Sequence, residues 1–191
     1  MKTTTFKNAI KASVLAAVIF ASQLFAGEAT QLKVKPIKQE TNQCVPTGAS
    51  MMLALYGWNY PPRQIKLATK NQPYYGPNTP FNDFTMTNFG DLKKGLLTLG
   101  HDWRTGAFPG TEAGLQKGIS QIKDSLRMGK PVLIVVARHA VVVCGFNDDS
   151  KLFKIADPAT GSITTYPYSS MGSIWGTKTG RVVLRGALFM N

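Results

Sequence analysis

Gln39-Glu-Thr-Asn-Gln-Cys44-Val-Pro-Thr-Gly-Ala-Ser-Met-Met-Leu-Ala-Leu-Tyr56 is a polar loop that delivers one cysteine to the start of a helix. Pro46 suits a first helical turn, where its missing N–H is not needed. Residues 49–56 are apolar nearly all round, which predicts a buried helix, and Gly57 stops it. A cysteine at that place faces unpaired backbone N–H groups and the positive end of the helix dipole. Both favour the thiolate, which is the nucleophilic form. The competing reading is a small buried hydrophobe, since free cysteine is among the most buried residue types.

Downstream, Trp58-Asn-Tyr-Pro-Pro62 is a rigid connector, and a short helix follows over 62–70 with Ile65 and Leu67 inward. Residues 71–86 hold several prolines, Gly76, Asn78 and the aromatics Tyr74, Tyr75, Phe81 and Phe84. That composition forbids a long regular element and predicts a packed surface loop, either the wall of a cleft or a lid over the core. Thr87 or Asn88 caps a third helix carrying Phe89, Leu92, Leu96, Leu97 and Leu99, which ends at Gly100. His101 follows that stop with no base partner or metal ligand near it in sequence, so it reads as structural. Thr111 opens a fourth helix to about residue 128, with Leu115, Ile119, Ile122 and Leu126 at helical spacing.

Beyond Gly129-Lys130-Pro131 the period changes. Residues 132–136 and 139–146 are apolar runs of buried strands, 147–150 make a turn, and 151–157 return with clean alternation. Pro158 ends that strand because it cannot donate to a ladder. Residues 163–166 and 182–188 read as further strands. Helices first and an antiparallel sheet afterwards, with no repeat or linker, indicate one α+β domain over residues 27–191.

The hairpin puts chemistry together. With Asn147 to Ser150 as its loop, His139 lies opposite Pro158. With an odd loop or one bulge, His139 faces Asp157 directly. Either way Asp157 falls within one position of His139, and a histidine beside a carboxylate on a sheet rim is an oriented base. A coincidental hairpin-end pair is the plain alternative.

The start of the chain bears on compartment. Lys2, Lys7 and Lys11 precede an almost wholly apolar run over 12–26 that ends in small residues, the pattern of a secretory signal peptide with cleavage after Ala26. No other stretch reads as transmembrane, so an exported mature chain, periplasmic or extracellular, is expected. Removing 1–26 takes away three lysines and no acid, which lowers the formal charge from +12 to +9. That balance raises an anionic polymer, nucleic acid or an acidic surface as partner. The basic residues are scattered, however, and neither an aromatic-and-basic motif nor zinc-ligand spacing accompanies them. A solvated positive surface is the simpler account, and no metal or cofactor is implied. Two cysteines in an exported chain also allow a Cys44–Cys144 disulfide, which competes with the nucleophile. Strand alternation puts His139 and Cys144 on opposite faces, so a Cys44 within reach of His139 is expected too far from Cys144 to bridge.

Gln39, Cys44, a His139-Ala-Val-Val-Val strand and Asp157-Pro158, in that order, resemble the papain-like cysteine peptidases. The likeness is strongest to their bacterial branch, the double-glycine leader peptidases and stand-alone relatives, and it runs from about residue 37 to 166. Val45 departs from the glycine usual after the cysteine of that branch. The transmembrane and ATPase segments of exporter-fused members are not part of the resemblance, so leader processing during transport is not implied. The resemblance implies a papain-like fold, with the nucleophile helix packed on the C-terminal antiparallel sheet. It also implies roles: Cys44 attacks a carbonyl, His139 holds the thiolate and then protonates the leaving group, and Asp157 fixes the imidazole. Gln39 joins the Cys44 backbone N–H as oxyanion donor, ahead of Asn42 and Gln43. A peptide or protein is then the default substrate, although related amides and transpeptidation use the same constellation. The rival from another class is a non-catalytic exported binding protein that keeps the fold and docks an anionic partner.

Overall fold

The structure is a computed structural model, and it describes residues 27–109, 111–136, 139–168 and 186–191. The expected signal segment, and residues 182–185 of the last expected strand, lie outside them. In chain order the elements are β1 (Ala29–Gln31), α1 (Cys44–Ala54), α2 (Pro62–Ala68), α3 (Phe89–Thr98), β2 (Trp103–Gly106), α4 (Glu112–Arg127), β3 (Val132–Val136), β4 (His139–Asn147), β5 (Leu152–Asp157), β6 (Ser162–Pro167) and β7 (Ala187–Met190). The fold is α+β, with four helices and one antiparallel sheet among the described residues. Its four helices stand where the sequence places them. Asn88 caps α3 by accepting from the Asp91 N–H, and Thr111 caps α4 by accepting from the Gly114 N–H. Among the described residues no helix is long and apolar enough to cross a membrane.

The strands run in the order β2-β7-β3-β4-β5-β6, with β1 added to β4. β3 pairs with residues 139–143 of β4 and β1 with residues 145–147, so the two share one edge of the central strand. Between its two ends β4 is buried throughout. The reason is cover on both faces. Ala140, Val142 and Cys144 pack with Val45, Ala49, Met52 and Leu53 of α1, whereas Val141, Val143 and Phe146 pack with Leu115, Ile119, Ile122 and Leu126 of α4. Two cores, one per face, therefore flank the sheet. α1 lies very close to it: a Cβ on Gly48 would stand 2.4 Å from Leu133 Cδ1, so a larger residue there would require the Leu133 side chain to shift. β1 and β2 are strands that the sequence does not announce. At three and four residues they are too short to carry a period.

The hairpin register also differs from expectation. Asn147 pairs with Leu152 and Phe146 with Phe153, so the loop is 148–151. A bulge between Val143 and Gly145 then shifts the ladder to Val143↔Ile155 and Val142↔Ala156. Continued by one step, this ladder sets Asp157 opposite Val141, two positions from His139 rather than within one. The bulge decides whether the two side chains can meet. Alternation from Phe146 without it would put His139 and Asp157 on opposite faces; the extra residue, Cys144, returns them to the same one. Gly145 belongs to the same device, since a Cβ there would meet the Thr30 carbonyl oxygen at 2.6 Å, where β1 closes on β4.

Sheet face does not separate the two cysteines as expected. Cys44 packs against the same cluster as Cys144, on the α1 side of the sheet. Both thiols are free. Their separation runs along β4, from its start at His139 to the bulge, and not across it. Burial pushes the Cys144 thiol up to about 11. In the native protein Cys144 is therefore expected to stay unmodified while Cys44 is alkylated, and Cys144→Ala to cost about 1 kcal/mol of packing. Peptide mapping of unreduced, alkylated protein and a urea melt check both; a Cys44–Cys144 linked peptide as the main species would count against the free thiols.

Candidate active site

Cys44 is the first residue of α1, capped by a Gln43 whose side chain makes no capping bond. The helix start therefore keeps free backbone N–H groups beside the thiol, and its first turn holds no acidic residue. The preceding loop is tied down on three sides. Gln39 N–H donates to the Pro158 carbonyl at 2.8 Å, directly after Asp157. Glu40 takes a two-pronged ion pair from Arg63 of α2, at 2.7 and 3.1 Å. The Asn42 amide donates to Phe84 O at 3.0 Å and the Gln43 amide to Asp83 O at 3.2 Å. Asn42 stands at φ +59°, the left-handed turn that asparagine tolerates. Cys44 is thus presented by a loop held at both the sheet end and the helical layer.

His139 opens β4 and Asp157 closes β5, at the same end of the sheet. His139 Nε2 lies 2.6 Å from Asp157 Oδ1, and that oxygen also accepts from the Ala159 N–H at 2.8 Å. The carboxylate is fixed by the turn that follows it and in turn fixes the ring. With Nε2 engaged, Nδ1 is the nitrogen left for Cys44. Burial of the thiol opposes its ionisation and is the largest influence on it. The hydrogen bond and charge of His139, with the backbone N–H groups of Ala140 and Val45, outweigh burial and hold Cys44 below the ordinary thiol value. His139 is shifted the other way. Its contact with Cys44 raises it most, burial opposes, and the Asp157 hydrogen bond and charge add to the rise. A depressed thiol beside an elevated imidazole is the condition for a thiolate–imidazolium pair.

Gln39 is half-buried, and its Oε1 is buried without a partner. Among the described residues its side chain makes no hydrogen bond within the protein, unlike the amides of Asn42 and Gln43, which are committed to residues 83–84. The structure brings Cys44, His139 and Asp157 together and anchors Gln39 beside Asp157. His101 stands apart from them, tilted against Trp58 with ring centroids 4.4 Å apart and edge-on to Tyr60. What the sequence left open is the wall. A cleft of about 400 Å³ opens beside Cys44 and His139, lined by Val45, Met86, Phe89, Val135 and Ala140. Its outer side comes from the end of the proline- and aromatic-rich loop. A larger hollow of about 890 Å³ lies between α4 and the β5–β6 end. Lys123 binds Asp148 there at 2.6 Å and Tyr168 binds it at 2.8 Å, and neither thiol nor histidine lines the hollow, so the smaller cleft is the candidate site.

Three solved structures share this fold. A double glycine motif protease from an AMS/PCAT transporter, solved in complex with the leader peptide, superposes with a TM-score of 0.56 at 19% identity, over 84% of this chain and 94% of that one. The peptidase domain of Streptococcus ComA, a bi-functional ABC transporter involved in a quorum sensing pathway, gives 0.57 at 20% identity, over 82% and 97%. UfSP from C. elegans gives 0.55 at 16%, over 86% of this chain but 34% of that one. A comparison with curated proteins finds no match. Identities this low speak for the fold alone. The family assignment comes from the sequence itself: residues 31–182, most of the chain, match the Peptidase C39 like family, and the chain belongs to that family of cysteine peptidase-like proteins.

Proposed function

We propose that the protein is an exported cysteine peptidase that hydrolyses peptide, or closely related amide, bonds. The observation that carries this reading is the coupled pair at the helix start: Cys44 depressed, His139 raised, and the ring held at 2.6 Å by Asp157. In this reading the Cys44 thiolate attacks the carbonyl carbon, and the oxyanion is met by the Cys44 N–H and the Gln39 amide. His139 gives its proton to the leaving amine as the C–N bond breaks, leaving a thioester. Neutral His139 then takes a proton from water, whose oxygen attacks the thioester, and the acid product departs as the thiol re-forms. The apolar cleft suits a peptide segment without charge near the scissile bond. One structural neighbour was solved with a leader peptide, which supports a peptide as the substrate class here. Export rests on the lysine-then-apolar pattern of residues 1–26, and it places the enzyme in the periplasm or outside the cell. The rival reading, a binding module docking an anionic partner, gives no account of a thiol and imidazole tuned toward each other.

The test is the pH dependence of Cys44 alkylation by iodoacetamide. Because the thiol is depressed, labelling is expected to be fast already at about pH 6–7, below the reference cysteine value of about 8.5. Hydrolysis should follow a bell: it rises as Cys44 ionises and falls as pH climbs through the raised value of His139, when the proton for the leaving group is lost. Alkylation needs no such proton and should not fall on that limb. Labelling that rises only above about pH 8 would argue against the ion pair.

A further inference from the structure

Lys66 of α2 is 1% exposed, the one charged side chain in the core among the described residues. An ammonium buried to that degree is tolerated only where its three donors are met. All of its partners come from one segment: Thr85 O at 2.7 Å, Thr87 Oγ1 at 2.9 Å and Thr85 Oγ1 at 3.2 Å, with Asp83 Oδ2 at 3.7 Å. Asp83 Oδ1 in turn accepts from Thr85 Oγ1 at 2.5 Å and from the Thr85 N–H at 3.0 Å. The carbonyls of Asp83 and Phe84 are those that accept from the Gln43 and Asn42 amides, just before Cys44. The same segment continues into Met86, Thr87 and Phe89, which line the cleft. Residues 83–87 themselves belong to no helix or strand, and Met86 is 71% exposed, so packing alone does not fix them.

We propose that Lys66 is a positioning residue: its buried ammonium holds residues 83–87 as one wall of the cleft beside Cys44 and so sets how firmly the cleft grips a peptide. Lys66 touches no reacting atom in this arrangement. It acts through the wall and not through the thiol. The proposal rests on the peptidase reading of the cleft.

Two reagents separate gripping from reactivity. Iodoacetamide is small enough to need only the thiolate. Ala-Ala-Ala chloromethyl ketone must first occupy the cleft; the Cys44 sulfur then bonds its methylene carbon and chloride leaves. Its saturable inactivation gives KI for occupancy and kinact for the bond-forming step. Lys66→Met is expected to raise KI about tenfold, with kinact and the iodoacetamide rate held within about twofold, since charge-assisted bonds to the wall are lost and the thiolate is untouched. Thr85→Val, which removes one acceptor for Lys66 and the hydroxyl bond to Asp83 while keeping the backbone one, should raise KI in the same direction. It should add little on top of Lys66→Met, because both changes release one network. Unchanged KI in either folded variant overturns the proposal, as does a parallel loss of iodoacetamide reactivity, which would make Lys66 a support of the whole fold. Should Lys66→Met not fold, Thr85→Val decides alone. A wild-type protein unreactive toward both reagents at Cys44 would bring down the peptidase reading itself, a failure visible before any substitution is made.

Discussion

Cys44→Ala is expected to abolish peptide hydrolysis, lowering kcat by about 10⁴-fold or more, while the protein stays folded. The size follows from chemistry. No other thiol can replace the nucleophile, since Cys144 is buried and pushed up to about 11. The variant keeps the cleft and the proposed oxyanion donors, which alone would give only a small part of the acceleration. The fold should survive because the sulfur is half-buried at a cleft, where its loss opens no closed cavity. Near-ultraviolet circular dichroism checks folding, and hydrolysis of a quenched fluorescent peptide library checks activity. A folded Cys44→Ala protein that kept its activity would show that the nucleophile lies elsewhere. Cys144→Ala measured alongside should keep the activity. The contrast between two single-atom-scale losses, one at the helix start and one at the bulge, separates chemistry from packing.

Much of the fold was legible because it is written in period. The four helices carry apolar spacing and caps, and the change of period after Pro131 marks where the sheet begins. The hairpin from His139 to Asp157 was legible as pairing but not as register. One inserted residue flips parity, and nothing in Val143-Cys144-Gly145 taken alone announces a bulge except the glycine that lets β1 approach. β1 and β2 escaped because short strands owe their existence to neighbours far along the chain: β1 forms on β4 and β2 on β7. Sheet face failed to separate the two cysteines for a related cause. His139 stands at the strand's first position, where a side chain reaches around the sheet end toward α1, so face parity no longer says which layer it meets. The aromatic and proline composition of 71–86 announced a loop, yet its attachment through Lys66 was invisible. Lys66 reads as an ordinary helix-surface lysine, and its partners lie about twenty residues on.

His139→Ala should lower hydrolysis about as far as loss of the nucleophile, by about 10⁴-fold, since residues that act as one unit fail together. Its signature lies in a second reading. The thiol loses its strongest stabilising partner and keeps the burial that opposes ionisation, so its pKa must rise; iodoacetamide labelling at pH 6 should then fall about tenfold or more. At high pH, where any thiol is ionised, the rate should recover, which shows that the residue is present and the fold intact. Asp157→Ala should behave differently in degree. It leaves both reacting groups in place but frees the ring, which then relies on the sheet rim alone for its orientation. Hydrolysis should fall by less than with His139→Ala, and the labelling curve should shift less. Gln39→Ala should differ in kind: kcat falls by about 10²–10³-fold, because an oxyanion donor acts only in the transition state of acyl transfer, and labelling of Cys44 is unchanged because alkylation forms no oxyanion. The three variants thus give three patterns, and they assign roles without knowledge of the natural substrate. Unchanged labelling at pH 6 in folded His139→Ala would mean that the imidazole 2.6 Å from Asp157 is not the partner of the thiol.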